Sequence, residues 1–225
     1  MIRVIVVGNG MVGYKFCEKF IAKSGQEKYQ ITVFGEEPRR AYDRVHLSEY
    51  FGGKTADDLS LSTSQWYAEN NITLNTSELI TDINRTEKTI HTHLEKTHTY
   101  DYLVLATGSS AFVPPIDGVE KEGVFVYRTI EDLGAIMAYA KKIKQKGATE
   151  AAVLGGGLLG LEAAKAVRDL GLNPHVVEFA PRLMPRQLDK GASDMLQSKI
   201  EELNIGIHLN KATQYIDGKE CITGM

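Results

Sequence analysis

The chain writes one local pattern twice. Ile2-Arg3-Val4-Ile5-Val6-Val7, short and β-branched, runs into Gly8-Asn9-Gly10-Met11-Val12-Gly13. A helical pattern follows with Phe16, Phe20 and Ile21 on one face, then a second apolar run, Tyr29-Gln30-Ile31-Thr32-Val33-Phe34. Far downstream, Ala151-Ala152-Val153-Leu154 runs into Gly155-Gly156-Gly157-Leu158-Leu159-Gly160. An Ala/Leu-rich helix follows to about Leu170, closed by Gly171, and then His175-Val176-Val177-Glu178. Short β-branched runs read as buried strands, and a 3.6-residue apolar period reads as a helix. Strand, glycine turn, helix and strand, used twice, put the chain in the α/β class. The expected architecture is two Rossmann-like three-layer units with parallel sheets.

Each cluster has the spacing Gly-x-Gly-x-x-Gly after a strand and at the start of a helix, the context in which that spacing carries chemistry. The first glycine permits a tight turn. The second leaves the backbone bare for a pyrophosphate, and the third lets helix and strand pack closely. The anion then meets free N–H groups at the positive end of the helix dipole. Gly8, Gly10 and Gly13, and again Gly155, Gly157 and Gly160, are therefore candidate dinucleotide-binding residues; the plain alternative is two tight turns. An acid about 20 residues further on would hold a ribose hydroxyl. Glu36, with Glu37 beside it, stands there after the first loop, and Glu178 after the second. A carboxylate repels a 2′-phosphate, so NADH is expected over NADPH at the second loop, with Arg182 nearby softening that preference.

Composition removes other classes. The 225 residues are 43% hydrophobic and 24% charged, with a net charge of −3, so no broad field for nucleic acid or membrane is expected. No apolar run reaches the ~18 residues of a spanning helix, and the apolar start is too short for a secretory signal. Cys17 and Cys221 are the only cysteines, which excludes a disulfide scaffold, a four-cysteine zinc site and a Cys-x-x-Cys pair. A reducing cytoplasm is the expected compartment. Histidines 46, 91, 93, 98, 175 and 208 form no ligand pattern, so no metal site is expected. Between the two patterns, residues 72–106 read as β-rich, and residues 111–123 read as a connection marked by Pro114, Pro115, Gly118 and Gly123. Residues 131–146 read as a helix whose lysine-rich end is a solvated C-terminus.

With these motifs the chain resembles the two-dinucleotide flavoproteins, the FAD-dependent pyridine-nucleotide oxidoreductases. Leu103-Val104-Leu105-Ala106-Thr107-Gly108 matches their strand ending in Ala-Thr-Gly. Further matches are Ala41-Tyr42-Asp43-Arg44-Val45-His46-Leu47-Ser48-Glu49-Tyr50, Tyr127-Arg128-Thr129-Ile130-Glu131-Asp132-Leu133, residues 155–164, and residues 176–189. Together they resemble the N-terminal flavin region of the large subunits of assimilatory NAD(P)H-dependent nitrite reductases, over essentially the whole chain. Rubredoxin and ferredoxin reductases usually carry a lysine where Glu49 stands.

The resemblance implies an FAD unit at 1–112, with an NAD(P)H unit at 113–225 inserted into it. It implies that Gly8, Gly10 and Gly13 hold the FAD pyrophosphate, and that Glu36, with Glu37, holds the adenosine ribose. Arg44 and Ser48 would contact the FAD phosphate or ring edge, the Ile80 backbone its adenine, and Thr107 and Gly108 would lie along it. Gly155, Gly157, Gly160 and Glu178 would hold NADH, and Glu162 would lie close to the nicotinamide as the catalytic candidate. The competing reading of Glu162 is an acid satisfying the helix dipole.

Hydride would pass from nicotinamide to flavin, and electrons onward to a siroheme and iron–sulfur nitrite reductase centre in downstream domains or a small subunit, or to an electron-carrier protein. A homodimer is compatible with the sequence. Without a cysteine pair the disulfide-reductase route is closed, and Cys17 reads as core packing. Family members close the FAD unit with a later Gly-Asp segment that this chain does not show. The expectation is a truncated product with an incomplete FAD site, and the alternative function is a non-catalytic dinucleotide-binding or regulatory module.

Overall fold

The computed structural model describes residues 1–24 and 27–225, in two compact units. The first comprises Met1–His46 and Thr55–Ser110; the second comprises Leu47–Lys54 and Ala111–Met225. The short segment Leu47–Lys54 thus groups with the second unit, away from its neighbours in sequence.

In the first unit, β1 (Ile2–Val7), β2 (Tyr29–Phe34), β3 (Ile72–Asn75) and β7 (Tyr102–Leu105) form one parallel sheet in the order β3-β2-β1-β7. Strand side chains alternate between faces. Val4, Val6, Ile31 and Val33 therefore share one face, covered by α1 (Met11–Ser24) and α2 (Ser64–Glu69), where Cys17 and Tyr67 complete the core. The expected helix face, Phe16, Phe20 and Ile21, packs on this cluster. Ile5, Val7 and Phe34 point the other way, onto Ile90 and Tyr100. Ile90 belongs to an antiparallel sheet of β4 (Ile80–Asn84), β5 (Thr89–Thr92) and β6 (Thr97–Thr99), so this unit has three layers. Helix α2 is too short to show a period in the sequence. Its start is fixed by Thr63, whose hydroxyl accepts from the Trp66 N–H at 3.1 Å.

The second unit holds α3 (Ile130–Gln145), β8 (Glu150–Leu154), α4 (Leu158–Asp169), β9 (Asn173–Val177), α5 (Lys190–Glu201) and β10 (Gly206–His208). Its three strands are parallel in the order β10-β9-β8. Leu161 and Ala164 of α4 pack with Val176, Leu183 and Ile205. Thr129 and Asp132 form a capping box that starts α3. Gly171 ends α4 at φ +80°, a conformation that costs a glycine nothing. The lysine run is less free than a solvated terminus implies: Lys144 donates to the Leu170 carbonyl at 2.7 Å, and Lys142 pairs with Glu122.

Cys17 is fully buried in α1, Cys221 is exposed, and both are free thiols. Among the described residues no helix is long and apolar enough to cross a membrane, and no group of three or more His, Cys, Asp or Glu side chains is placed to hold a metal ion.

Candidate functional site

The two glycine loops have the same geometry. Gly8 sits at φ +114° and Gly155 at φ +112°, a region that L side chains rarely adopt. A Cβ on Gly13 would lie 2.0 Å from the Gly8 carbonyl oxygen, and a Cβ on Gly160 would lie 2.0 Å from that of Gly155. The third glycine of each loop therefore lets its helix pack against its own turn. The middle glycines differ: a Cβ on Gly10 or Gly157 would meet nothing within 4 Å. Packing does not require glycine there, and the open space lies at the N-terminal end of α1 or α4, where an anion is favoured.

The strand ends beside each loop are equivalent. The Gly8 N–H donates to Phe34 and the Gly155 N–H to Val177, both at 2.9 Å. The next residue is Gly35 in the first unit and Glu178 in the second. The Glu178 carboxylate accepts from the Gly156 N–H at 2.6 Å and from the Ala180 N–H at 2.6 Å. It is thereby fixed against the rim of its own loop. Gly156 is held to glycine for a reason the fingerprint does not show: a Cβ there would lie 2.7 Å from Leu183 and 3.1 Å from the Glu178 Cβ.

In the first unit Gly35 takes the place of the acid, because Asn9 of the loop occupies that space; a Cβ on Gly35 would lie 2.7 Å from the Asn9 Cβ. Asn9 donates to the Arg39 carbonyl at 3.0 Å and accepts from the Tyr67 hydroxyl at 3.3 Å. Glu36, one residue on, is exposed. Glu37 accepts from the Tyr42 hydroxyl at 2.7 Å and pairs with Arg44, whose guanidinium also lies 4.8 Å over the Tyr42 ring. Two expected cofactor contacts, Glu37 and Arg44, thus bind each other. Thr107 and Gly108 follow β7 directly beside the loop; a Cβ on Gly8 would lie 2.1 Å from the Ala106 carbonyl oxygen and 2.9 Å from the Thr107 nitrogen. Ile80 begins β4, just after a segment tied to the end of β2 through Ser77 N–H to Glu37 and Glu78 N–H to Gly35.

In the second unit the Leu47–Tyr50 turn, a short 3-10 helix, packs against α3 and α4. Ser48 lies beside the Tyr127 hydroxyl, and the Glu162 carboxylate is close enough to act on that phenol. Burial, and then Glu162, push the Tyr127 phenol up to about 12. Glu162 lies beyond the first turn of α4, where the dipole's attraction for an acid has largely decayed. Tyr127 and Phe51 stack nearly parallel, with ring centroids 6.1 Å apart. Neither was expected as a site residue. Tyr127 stands in a segment noted only as a match, and the signal that distinguishes it is a contact between residues far apart in sequence.

The Pyridine nucleotide-disulphide oxidoreductase family matches residues 2–224. The chain belongs to that family. It is 48% identical over 212 residues to the nitrite reductase (NADH) large subunit of Escherichia coli (strain K12), covering 94% of this chain and 24% of that one. It is 40% identical over 224 residues to the nitrite reductase [NAD(P)H] of Bacillus subtilis (strain 168), covering 99% of this chain and 27% of that one. Among solved structures, a NAD-dependent persulfide reductase from A. fulgidus superposes with a TM-score of 0.87 at 28% identity, over 97% of this chain and 41% of that chain. The chain therefore spans about a quarter of the length of the nitrite reductases it matches. The disulphide in the family name finds no cysteine pair here, since Cys17 is sealed in a core and Cys221 lies in a terminal segment of the other unit.

Proposed function

We propose that this chain is the dinucleotide-handling region of an NADH-dependent flavoprotein, in which the first glycine loop holds FAD and the second holds NADH. The observation that carries the reading is the paired loop geometry: two turns at φ +114° and +112°, each with an open middle glycine at a helix N-terminus. The residues present fit the two groups, because each cradle offers bare backbone and a helix dipole to a pyrophosphate.

In this reading Gly8, Gly10 and Gly13 hold the FAD pyrophosphate, and Glu36 holds its adenosine ribose, with Glu37 second to it because Arg44 and Tyr42 already engage Glu37. Thr107, Gly108 and the Ile80 backbone line the rest of the flavin site, and Arg44 supports it through Glu37. Gly155, Gly157 and Gly160 hold the NADH pyrophosphate. Glu178, fixed by two backbone N–H groups, accepts from the ribose hydroxyls and repels a 2′-phosphate. Glu162 orients the nicotinamide end. When bound, the two groups supply the hydride and electron chemistry, and the protein supplies distance, orientation and electrostatics. The receiving centre is a downstream siroheme and iron–sulfur nitrite reductase site, in keeping with the relatives, or a carrier protein.

Reduction of ferricyanide by NADH, with the chain supplemented with FAD, tests the reading. FAD-dependent turnover supports it. Dinucleotide binding with no turnover favours a non-catalytic module instead.

A further inference from the structure

Ser193 is the only buried polar side chain among the described residues of the second unit, at 1% exposure. It stands in the first turn of α5, and its hydroxyl donates to the Leu183 carbonyl at 2.9 Å. The N–H of that same peptide group belongs to Met184, and it donates to the Gly156 carbonyl at 3.0 Å. Met184 sits at φ +46°, a left-handed conformation that a methionine keeps only where its surroundings hold it. Here they do: Leu183 is fully buried, and the Gln187 and Leu188 N–H groups both donate to the Met184 carbonyl at 3.0 Å. The Gly156 carbonyl is in turn one side of the peptide group whose N–H belongs to Gly157. In a trans peptide the N–H points opposite to the C=O, so anchoring the Gly156 oxygen on Met184 aims the Gly157 N–H away from that turn. Among the described residues nothing accepts from the Gly157 N–H, and the space where its Cβ would stand is open.

We infer that Ser193 is a positioning residue for dinucleotide binding: it fixes and polarises a line of hydrogen bonds that ends in the Gly157 N–H, the donor to the pyrophosphate. The line runs from the Ser193 hydroxyl through the Leu183–Met184 peptide to the Gly156–Gly157 peptide, with every donor facing the same way. Each bond draws electron density from the next N–H, so the last donor is stronger than an isolated amide. Gly156 makes the anchor necessary, because a glycine has no side chain to restrict the rotation of its own peptide planes. The inference rests on NADH occupying the second loop, and it adds to that site a residue outside the glycine fingerprint. Glu178 faces the ribose, whereas Ser193 acts through Gly157 on the pyrophosphate. Removing the Ser193 hydroxyl should therefore weaken only ligands that carry a pyrophosphate.

The test is a titration of the isotope-labelled chain, followed by its amide resonances, with ADP-ribose, which carries the pyrophosphate, and with adenosine, which carries only the base and ribose. Ser193→Ala should weaken ADP-ribose by about three- to tenfold, the worth of one hydrogen bond, and leave adenosine unchanged. A substitution that merely loosened the fold would weaken both ligands by the same factor, and that result overturns the inference, as does unchanged ADP-ribose affinity. If Ser193→Ala fails to fold, the unsubstituted chain decides. ADP-ribose should move the Gly157 amide resonance downfield, and that of Met184 with it. A response at the Glu178 amide with none at Gly157 overturns the inference while leaving the dinucleotide in the loop. Failure of ADP-ribose to bind the unsubstituted chain removes the dinucleotide reading and the inference together, so the two failures are told apart.

Discussion

The Glu178 carboxylate accepts from the Gly156 N–H at 2.6 Å, so the acid that ends β9 is clamped onto the loop that opens α4. Strand end and loop are one rigid element, and the position of the charge does not depend on a flexible side chain finding it. Glu178→Arg should move the ratio of NADH to NADPH affinity by at least about tenfold toward NADPH, the scale of one charged hydrogen bond lost and one repulsion removed. Fluorescence titration with both nucleotides reads it, and an unchanged ratio would remove Glu178 from the site.

The glycines of one loop should separate by role. Gly160→Ala places a Cβ 2.0 Å from a backbone oxygen and should lower the stability of the second unit by roughly 1–3 kcal/mol. Gly157→Ala meets nothing within 4 Å and should leave thermal stability nearly unchanged while nucleotide affinity falls about tenfold or more. Calorimetry and binding on the same samples check both. A Gly157→Ala variant that binds normally would mean the open cradle is not a ligand site.

Cysteine reactivity should be split. Burial pushes the Cys17 thiol up to about 12, which leaves almost no thiolate at neutral pH, whereas Cys221 is exposed. Titration of the native chain with a chromogenic disulfide reagent should show one fast thiol. The second should appear only on unfolding, and two fast thiols would contradict the packing of α1.

Acid should loosen the second unit by a definite route. Hydrogen bonds from Asn173, His175 and Thr149 hold the Glu150 carboxyl down to about 2, from an ordinary 4.5. A carboxyl with a lower pKa when folded stabilises fully above its ordinary value, and that stability fades as pH falls from about 4.5 to about 2. Glu150→Gln should flatten the acid limb of a stability profile in that window, and an unchanged limb would assign the loss to other carboxylates.

The parts of this fold set by local pattern could be read from the chain. The strands at residues 2–7, 29–34 and 89–92, the two fingerprints and the Gly171 stop all follow from periodicity, branching and glycine chemistry within a few residues. What could not be read depends on distant contacts. The six-residue α2 shows no period, and Leu47–Tyr50 leaves its sequence neighbours to pack on α3 and α4. Glu37 and Arg44 matched a cofactor motif residue by residue, but nothing local showed that they pair with each other. Tyr127 and Phe51 meet although they are far apart in sequence, beyond the reach of any motif.

The most direct measurement is the binding stoichiometry of FAD and of NADH to the unsubstituted chain, repeated with Gly10→Ala and Gly157→Ala. One FAD and one NADH per chain are expected, with Gly10→Ala losing the first and keeping the second, and Gly157→Ala doing the reverse. Loss of both ligands from either substitution, or binding of neither by the unsubstituted chain, would contradict the assignment of one dinucleotide to each loop.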